Sequence, residues 1–484
     1  MIAISLIKFV GFTLFCLMVW SLLTAEAVCN PIGSSVPMTP GHVYYSDPIK
    51  GSMKGDGSKL RPWGPLSDIV AAKLINGQDK TSGVVHAGDI IYLLSGNHGS
   101  ISLDQYSGYF VNTDFITLQA APGSAPVLSQ LVASGISKWV FRGLTIAHTA
   151  VPAGNRGYFL SRFIGCDNIL FDSNTIYSQA DVSKWKPSDW ASLSAVSGLA
   201  FDGTSSTIIN NTVRNVEAGI GISGDGLILK NNVVDYFADD GINFTSSNSI
   251  IQSNTVTNHY GLWNNGGHHD GMQGWTIGGV VTSNVIIDSN VIVASTGVYP
   301  TIPVQPTGGA DDYLQGLSIF DGTWTNLTLT NNVVAARGAY HGLSMYGISD
   351  SIIANNTVVN QPGVESGIVW LGVFNNRVSG AAPVNVVVRN NIANSFVLAP
   401  TGVVDDHNIA LTSSNGWSGV ASETVVSNPR KVFVNYPASN GAYDFRLVKG
   451  SPAIGAGSAA DAPKYDVVGK LRNANKIDIG AFSY

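Results

Sequence analysis

The sequence predicts an all-β protein built as a single-stranded parallel β-solenoid, and three observations support this fold class. A phrase of two or three β-forming apolar residues followed by a polar pair recurs eight times, and the second residue of the pair is always Asn. A second strand, of the form x-Gly-aliphatic, recurs between these phrases. The 54 glycines and the charged fraction of only 12% favour stacked strands and tight turns over helices.

The Asn phrase defines the repeat. Successive Asn positions are 37, 21, 22, 36, 42, 24 and 35 residues apart, which fits coils of roughly 21 to 25 residues that carry loop insertions. Strand-like units at such a period, without helices, are typical of a solenoid. Asn tolerates the left-handed backbone region, and stacked Asn side chains hydrogen-bond between coils. We therefore expect a column of Asn at one corner, formed by Asn174, Asn211, Asn232, Asn254, Asn290, Asn332, Asn356 and Asn391.

Two other repeat architectures fit this pattern less well. A leucine-rich repeat needs a longer L-x-x-L-x-L phrase that is absent here, and propeller blades repeat at a more even length. Coils of a solenoid stack at roughly the 4.8 Å strand spacing, so residues distant in sequence are expected to become vertical neighbours. The x-Gly-aliphatic strands provide such a face, with glycines at Gly198, Gly219, Gly241, Gly271, Gly316, Gly342 and Gly367.

Four parts are predicted along the chain. Residues 1–27 are predicted as a secretory signal peptide, because Lys8 precedes an apolar run that ends in an Ala-Glu-Ala cleavage sequence. A lone membrane anchor is the alternative for this segment, but the apolar run is short for a bilayer span. The mature chain is therefore expected to be secreted, extracellular or periplasmic, with no membrane contact. Its three parts are an N-terminal cap with the first coils, the parallel β-helix core, and the last coils with a C-terminal cap, at 28–110, 111–395 and 396–484.

Charge and cysteine content limit the possible partners. A formal net charge of −6 does not attract nucleic acid through counterion release, so no nucleic-acid partner is expected. After signal cleavage only Cys29 and Cys166 remain, which allows at most one disulfide. The oligomeric state stays open.

Several segments resemble a known group of proteins. The sequences HHDGMQGWT at 268–276, QGLSI at 315–319 and YHGLSM at 340–345 resemble bacterial secreted right-handed β-helix proteins of the pectate-lyase-like type. The resemblance implies a right-handed parallel β-helix with N- and C-terminal caps, and it leaves the reaction open. The sequences at 239–242 and 341–344 also resemble the acidic and His-Gly strands of polygalacturonases. Two coils separate those strands here, however, whereas the hydrolases have them close together.

The strand alignment gathers ionisable residues over about four coils, roughly 15 to 20 Å along the axis. Each residue alone suits a turn or a structural hydrogen bond, but their shared register in a chain with so few charges indicates a functional site. Coil by coil, the residues are Asp239, Asp240 and Asn243; His268, His269, Asp270, Gln273 and Trp275; Asp311, Asp312 and Gln315; and Arg337, Tyr340 and His341.

Glycoside hydrolysis of a polysaccharide is the slightly preferred hypothesis for this patch. One carboxylic acid protonates the leaving oxygen while a second carboxylate acts as base or nucleophile, and like charges on adjacent coils separate their pKa values. Asp240 and Asp270 form the adjacent pair, with Asp239 and Asp312 in reserve. The predicted substrate-binding residues are Asn243, Gln273, Trp275, Gln315 and Arg337.

A polysaccharide lyase or C5-epimerase that acts on a uronate polymer is the first alternative. These enzymes neutralise the uronate carboxylate and remove the C5 proton with a base, for which His269, Tyr340, His341 and Arg337 are the candidates. The hydrolase needs no cofactor, whereas the alternative admits calcium bound by oxygen ligands, with Asp239 and Asp311 as the proposed ligands. A third hypothesis is a non-catalytic glycan-binding or adhesin solenoid. In each case the predicted partner is an extracellular polysaccharide.

Overall fold

Each coil of the protein consists of three short parallel strands, called here its first, second and third strand. One coil runs through Ile220–Asp225, Ile228–Lys230 and Val233–Phe237, and the next begins at Ile242–Ser247. Ile220 pairs in parallel with Ile242 one coil later. The predicted all-β parallel helix is thus confirmed.

The computed structural model describes most of the chain from residue 41 onward. The described residues are 41–75, 83–103, 112–148, 158–185, 189–190, 196–260, 269–276, 279–296, 314–337, 341–361, 369–412, 424–436 and 443–484. The predicted signal peptide, with Cys29 shortly after it, and the predicted site residues His268, Asp311, Asp312 and Tyr340 lie outside these ranges.

The strands of each kind stack along the helix axis in continuous parallel order. One long strand, Tyr158–Asp172, serves as both first and second strand of its coil. The other first strands are Ser100–Ser102, Gln130–Ser134, Val196–Thr204, Ile220–Asp225, Ile242–Ser247, His269–Trp275, Leu314–Asp321, His341–Tyr346, Trp370–Phe374 and Ser395–Leu398. The other second strands are Val43–Ser46, Ile90–Leu93, Ile116–Ala120, Ser137–Arg142, Thr207–Ile209, Ile228–Lys230, Ser249–Gln252, Thr282–Asp288, Trp324–Thr330, Ile348–Ala354, Val384–Arg389 and Val403–Asp406. The third strands are Gly96–Asn97, Pro126–Leu128, Thr145–Ala147, Thr175–Tyr177, Thr212–Val216, Val233–Phe237, Thr255–His259, Val291–Val293, Val333–Ala336, Thr357–Asn360, Ile392–Ala393, Ile409–Ala410 and Thr424–Val425.

The core follows from the alternation of residues along the strands. Successive side chains of a strand point to opposite faces, so every second residue of each strand enters the interior of the coil. The interior column of the first strands is fully buried and apolar, which joins the coils into one continuous core. Its members include Ile220, Ile242, Met272, Leu317, Leu343 and Leu371.

Elements near the two ends of the chain pack on the helix in different places. Near the N-terminus a short helix, Leu66–Ala71, packs Leu66, Ile69 and Val70 into the core. The C-terminal residues include a 3-10 turn at Pro429–Lys431 and an antiparallel pair, Phe433–Asn435 with Asp444–Leu447. These C-terminal residues form a second apolar cluster against the outer face of the late third strands, so they cover the side of the helix. Among the described residues, no helix is long and apolar enough to cross a membrane.

The predicted Asn column is confirmed at the corner between second and third strands. Each Asn donates from Nδ2 to Oδ1 of the Asn in the next coil, at 2.9 to 3.1 Å, and the column extends to Asn408. The left-handed backbone expected for these Asn lies one residue earlier, for example at Asn210 (φ 59°) and Asn231 (φ 54°). The turn needs a positive φ while the column needs an inward amide, so the two tasks fall on neighbouring residues.

The glycine of the x-Gly-aliphatic strand allows two coils to approach closely. A Cβ atom on Gly219 would lie 2.2 Å from the Gly241 carbonyl oxygen and 2.5 Å from a methyl group of Val234. We expect Gly219→Ala to lower the free energy of unfolding by about 3 kcal/mol, because backbone of the next coil must move. Gly221→Ala is the matched control, since only Leu199 O lies near, at 4.0 Å. Equal denaturation midpoints for the two variants would contradict the close-approach argument.

Candidate functional site

The candidate site lies where third strands turn into first strands in the central coils. Asp239 and Asp240 follow the third strand Val233–Phe237, and His269 and Asp270 open the first strand of the next coil. The strand register sets Asp240 beside Asp270 and Asp239 beside His269, as the contacts between these residues show. The fold therefore brings Asp239 and Asp240 into contact with His269 and Asp270, although a full coil with a loop insertion separates the two pairs in the sequence.

Three carboxylates, Asp239, Asp240 and Asp270, form what we call the acid cluster. Asp240 Oδ1 accepts a hydrogen bond from the backbone N–H of Asp270 at 2.9 Å, and its Oδ2 accepts one from Asn243 Nδ2 at 3.2 Å. Asp239 and Asp240 are half-buried, whereas Asp270 is 0% exposed. A substrate on the protein surface can therefore reach Asp239 and Asp240 more directly than Asp270.

The environment of Asp240 keeps a proton on its carboxyl group near neutral pH. Burial, together with the neighbouring charges of Asp270 and Asp239, raises the pKa of Asp240 to about 7. The hydrogen bonds from the Asp270 N–H and Asn243 favour the charged form and only partly oppose this effect. Asp240 is thus suited to donate a proton at neutral pH.

His269 contacts Asp239, and a second buried histidine, His259, packs against His269. His269 Nδ1 lies 3.2 Å from Asp239 Oδ1 and acts as the donor, because an ionised carboxylate only accepts. The His269 ring is 2% exposed, and its centroid lies 4.9 Å from that of His259. Burial, His269 and Arg337 hold the pKa of His259 well below its usual range, so His259 is neutral. The neutral His259 ring therefore packs beside His269 without adding a buried charge.

His259 is a site residue that the sequence analysis missed. It ends the third strand Thr255–His259, in register with Phe237 and, one coil earlier, Val216. A histidine in a column that is otherwise apolar is a signal that alignment of the third strands would have revealed. The Asn corners and the first strands, which carry the repeated phrases of the sequence, do not include this position.

Other predicted residues extend the site along the outer face. Asn243 aligns with Gln273 in the next coil, and Asp270 aligns with Gln315 in the coil after its own. Arg337 donates its backbone N–H to Leu314 O at 3.2 Å, at the end of a third strand. These alignments bring Asn243, Gln273 and Gln315 to the acid cluster or within one coil of it.

Two predicted residues lie away from the acid cluster. His341 is two coils from Asp270; its Nδ1 lies 3.0 Å from Ser344 Oγ, and its ring packs edge-on against Phe320 and Trp370. Trp275 is at the opposite end of the strand from Asp270, roughly 16 Å away along the chain, and it pairs with Asp321.

The metal hypothesis has no support within the described ranges. No group of three or more His, Cys, Asp or Glu side chains is arranged there to hold a metal ion. The calcium prediction for Asp239 and Asp311 stays a prediction, since Asp311 lies outside those ranges.

Comparisons with known proteins agree with the fold. Residues 197–380 match the family model described as "Right handed beta helix region". The structure is similar to that of XylC with xylose, at 10% identity, 91% coverage of this chain, 98% coverage of that chain and a TM-score of 0.52. It is also similar to pectate lyase Pel9A (17% identity, 92% and 97% coverage, TM-score 0.46) and to the GH136 lacto-N-biosidase from Eubacterium ramulus (13%, 80% and 68%, TM-score 0.43). No curated protein matches the sequence.

The likeness to XylC, at 10% identity, is a likeness of fold alone. The family match covers the coils that hold the acid cluster, and the stacked parallel strands continue on both sides of it. The chain is therefore a right-handed parallel β-helix protein.

Proposed function

We propose that the protein is a glycoside hydrolase that cleaves an extracellular polysaccharide, with Asp240 as the general acid. The observation that carries the proposal is the half-buried Asp240 carboxyl, whose pKa of about 7 keeps it protonated beside two further carboxylates. A carboxylic acid with a raised pKa next to an ionised one is the arrangement that glycoside hydrolysis uses.

Asp239 is the proposed base or nucleophile. It is the second half-buried carboxylate of the acid cluster, and His269 holds its Oδ1. Asp270, which the sequence pairs with Asp240, has no exposed surface, so its proposed role is to raise the pKa of Asp240 and to position it through its backbone N–H. In the reaction Asp240 gives its proton to the glycosidic oxygen as the bond from that oxygen to the anomeric carbon breaks. The anomeric carbon is attacked either by a water molecule, whose proton passes to Asp239, or by Asp239 itself, in which case water hydrolyses the resulting glycosyl ester in a second step.

The polysaccharide substrate and the location are part of the proposal. XylC, whose structure holds xylose, shares this fold over 91% of the chain. Amide side chains of Asn243 and Gln273 flank the acid cluster in register and offer donors and acceptors for sugar hydroxyls. The predicted signal peptide is in keeping with an extracellular polymer as the partner.

Product analysis tests this function directly. The purified protein is incubated with neutral and uronic polysaccharides while reducing ends and the ultraviolet absorbance of unsaturated uronates are recorded. We expect new reducing ends without unsaturated products. Unsaturated products would replace the hydrolase with the lyase alternative, and binding without any product would favour the non-catalytic scaffold.

His341→Ala is expected to weaken substrate binding more than it lowers turnover. The His341 side chain is two coils from Asp270 and contacts Ser344, Phe320 and Trp370, and its proposed role is to bind sugar at a neighbouring subsite. Steady-state kinetics should show a rise in KM of about tenfold with kcat within about threefold of the parent. A collapse in kcat with unchanged KM would instead make His341 the proton-abstracting base of an elimination.

A further inference from the structure

We propose that four aromatic residues on the outer face, Phe320, Tyr346, Trp370 and Phe374, form a subsite that binds uncharged pyranose units of the polysaccharide. We call this group the aromatic platform. The inference rests on the proposed function and adds the class of sugar that the site accepts. The platform spans the three coils that follow the coil of Asp270, so a chain bound along the helix axis meets both.

The platform rings stack from coil to coil on the solvent side of the first strands. Tyr346 pairs with Phe374 in the strand register, and their ring centroids lie 4.5 Å apart with an interplanar angle of 16°. The Phe320 and Tyr346 rings are 5.7 Å apart, and the Trp370 and Phe374 rings are 6.0 Å apart. Tyr346, Trp370 and Phe374 are half-buried, whereas Phe320 is 5% exposed and forms the floor.

Specific contacts fix the orientation of these rings. Trp370 Nε1 donates to Ser344 Oγ at 3.0 Å, which fixes the indole plane. Gly372 lies between the two outer rings of its strand, and a Cβ atom there would lie 2.2 Å from the Phe374 ring and 3.2 Å from that of Trp370. The missing side chain at Gly372 therefore lets the Phe374 ring fold back over its own strand. The result is a preorganised apolar surface with a polar contact at its edge, as in small-molecule sites.

The platform is continuous with the acid cluster. From Asp270 the register leads to Gln315 in the next coil, and His341 of the coil after that pairs with Trp370 in the following one. The coils rise by roughly 4.8 Å each, a step close to the length of one sugar unit. A glycan that lies along the axis with one unit at Asp240 therefore places its following units over Asp270, Gln315, His341 and Trp370 in turn, and so reaches the platform.

The charges around the platform favour a neutral sugar. Among the described residues the cation at the platform is Arg377, whose guanidinium lies 5.6 Å from the Phe320 ring centroid and 5.8 Å from that of Tyr346. Arg377 Nη1 also lies 3.8 Å from Asp321 Oδ1, so the Asp321 carboxylate offsets the charge of this guanidinium. The acid cluster repels the carboxylates of a polyuronate. Aromatic faces instead suit the C–H-rich face of a neutral pyranose.

Binding measurements on the full chain test the inference. Affinity electrophoresis is run with neutral polymers (arabinoxylan, mixed-linkage glucan and galactomannan) and with polyuronates (polygalacturonate and alginate). We expect the parent and the Asp240→Asn variant to bind a neutral polymer more tightly than either polyuronate. Trp370→Ala and Phe374→Ala should each raise the Kd for that polymer by about tenfold. Tyr92→Ala is the matched control, because Tyr92 stacks on Tyr45 on a different outer face, at 5.6 Å.

The outcomes separate this inference from the proposed function. Phe374→Leu keeps the bulk of the side chain but removes the ring, so weaker binding by a variant that melts like the parent supports the platform without a folding artefact. Parent-like binding by both alanine variants, or tightest binding to a polyuronate, overturns the inference whether or not the parent hydrolyses any polymer. Platform-dependent binding to a neutral polymer without turnover supports the inference and overturns the hydrolase.

Discussion

Asp240→Asn is expected to lower turnover by roughly 100- to 10,000-fold and to leave the fold intact. The amide keeps the shape of the side chain, and its oxygen still accepts from the Asp270 N–H. Its NH2 group faces the Asn243 amide, which must turn its oxygen toward it to restore that contact. The amide cannot give a proton to the leaving oxygen. The kcat on the polysaccharide that the parent hydrolyses best, together with the melting temperature, measures both parts of the expectation.

The pH profile provides a second measurement on the same residue. Asp240 must be protonated to act as the acid, and its pKa is raised to about 7 by burial and by Asp270 and Asp239. The kcat of the parent should therefore fall as pH rises through about 7. The residual activity of Asp240→Asn should lack this basic limb, since the group that titrates is gone.

Asp225→Asn is the matched control for Asp240. Asp225 is an exposed carboxylate that ends the first strand of the preceding coil, where it accepts a hydrogen bond from Asn248 at 2.6 Å. Its replacement should leave kcat and the pH profile unchanged. Full turnover by Asp240→Asn, or equal losses in the two variants, would contradict the role assigned to Asp240.

Asn254→Ala is expected to lower the free energy of unfolding by about 4 kcal/mol. The Asn254 amide accepts from the backbone N–H and Nδ2 of Asn232 and donates to Leu229 O and Asn290 Oδ1, all at 2.9 to 3.0 Å. Alanine leaves these buried groups without a partner, and each such group costs about 1–3 kcal/mol. Urea unfolding followed by far-ultraviolet circular dichroism measures the loss.

Asn248→Gly is the control that shows whether the loss of any Asn lowers the free energy of unfolding. Asn248 bonds to Asp225 at 2.6 Å and to Asn284 at 2.7 Å, but it is exposed. Its φ of 52° is in the left-handed region, which glycine adopts without strain. Water replaces the lost bonds, so we expect a change within about 0.5 kcal/mol. If Asn248→Gly lowered the free energy of unfolding as much as Asn254→Ala does, burial would not explain how the Asn column stabilises the fold.

The repeat was readable from the sequence because its physical cause is local. A turn with one positive φ, followed by an inward Asn, needs the same few residues in every coil, so the phrase around Asn211, Asn232 and Asn254 recurs whatever the loop lengths. The glycine of the next strand recurs for a similar reason, because any Cβ atom at Gly219 meets the coil above. Register then follows from these two markers, and it correctly aligned Asp240 with Asp270.

The chemistry of the site depended on contacts that no local pattern encodes. Burial decides which carboxylate of the cluster reaches the surface: Asp270 is fully covered, whereas Asp240 is half-buried. His259 enters the site from a third strand, and the aromatic platform assembles from three coils whose outer residues follow no shared phrase.

The sequence by itself determined the solenoid, its register and the coils that hold the ionisable residues, since strand periodicity repeats along the chain. Only the tertiary structure decided the pKa of Asp240 and the partners of Asp239, because desolvation and charge depend on distances between coils.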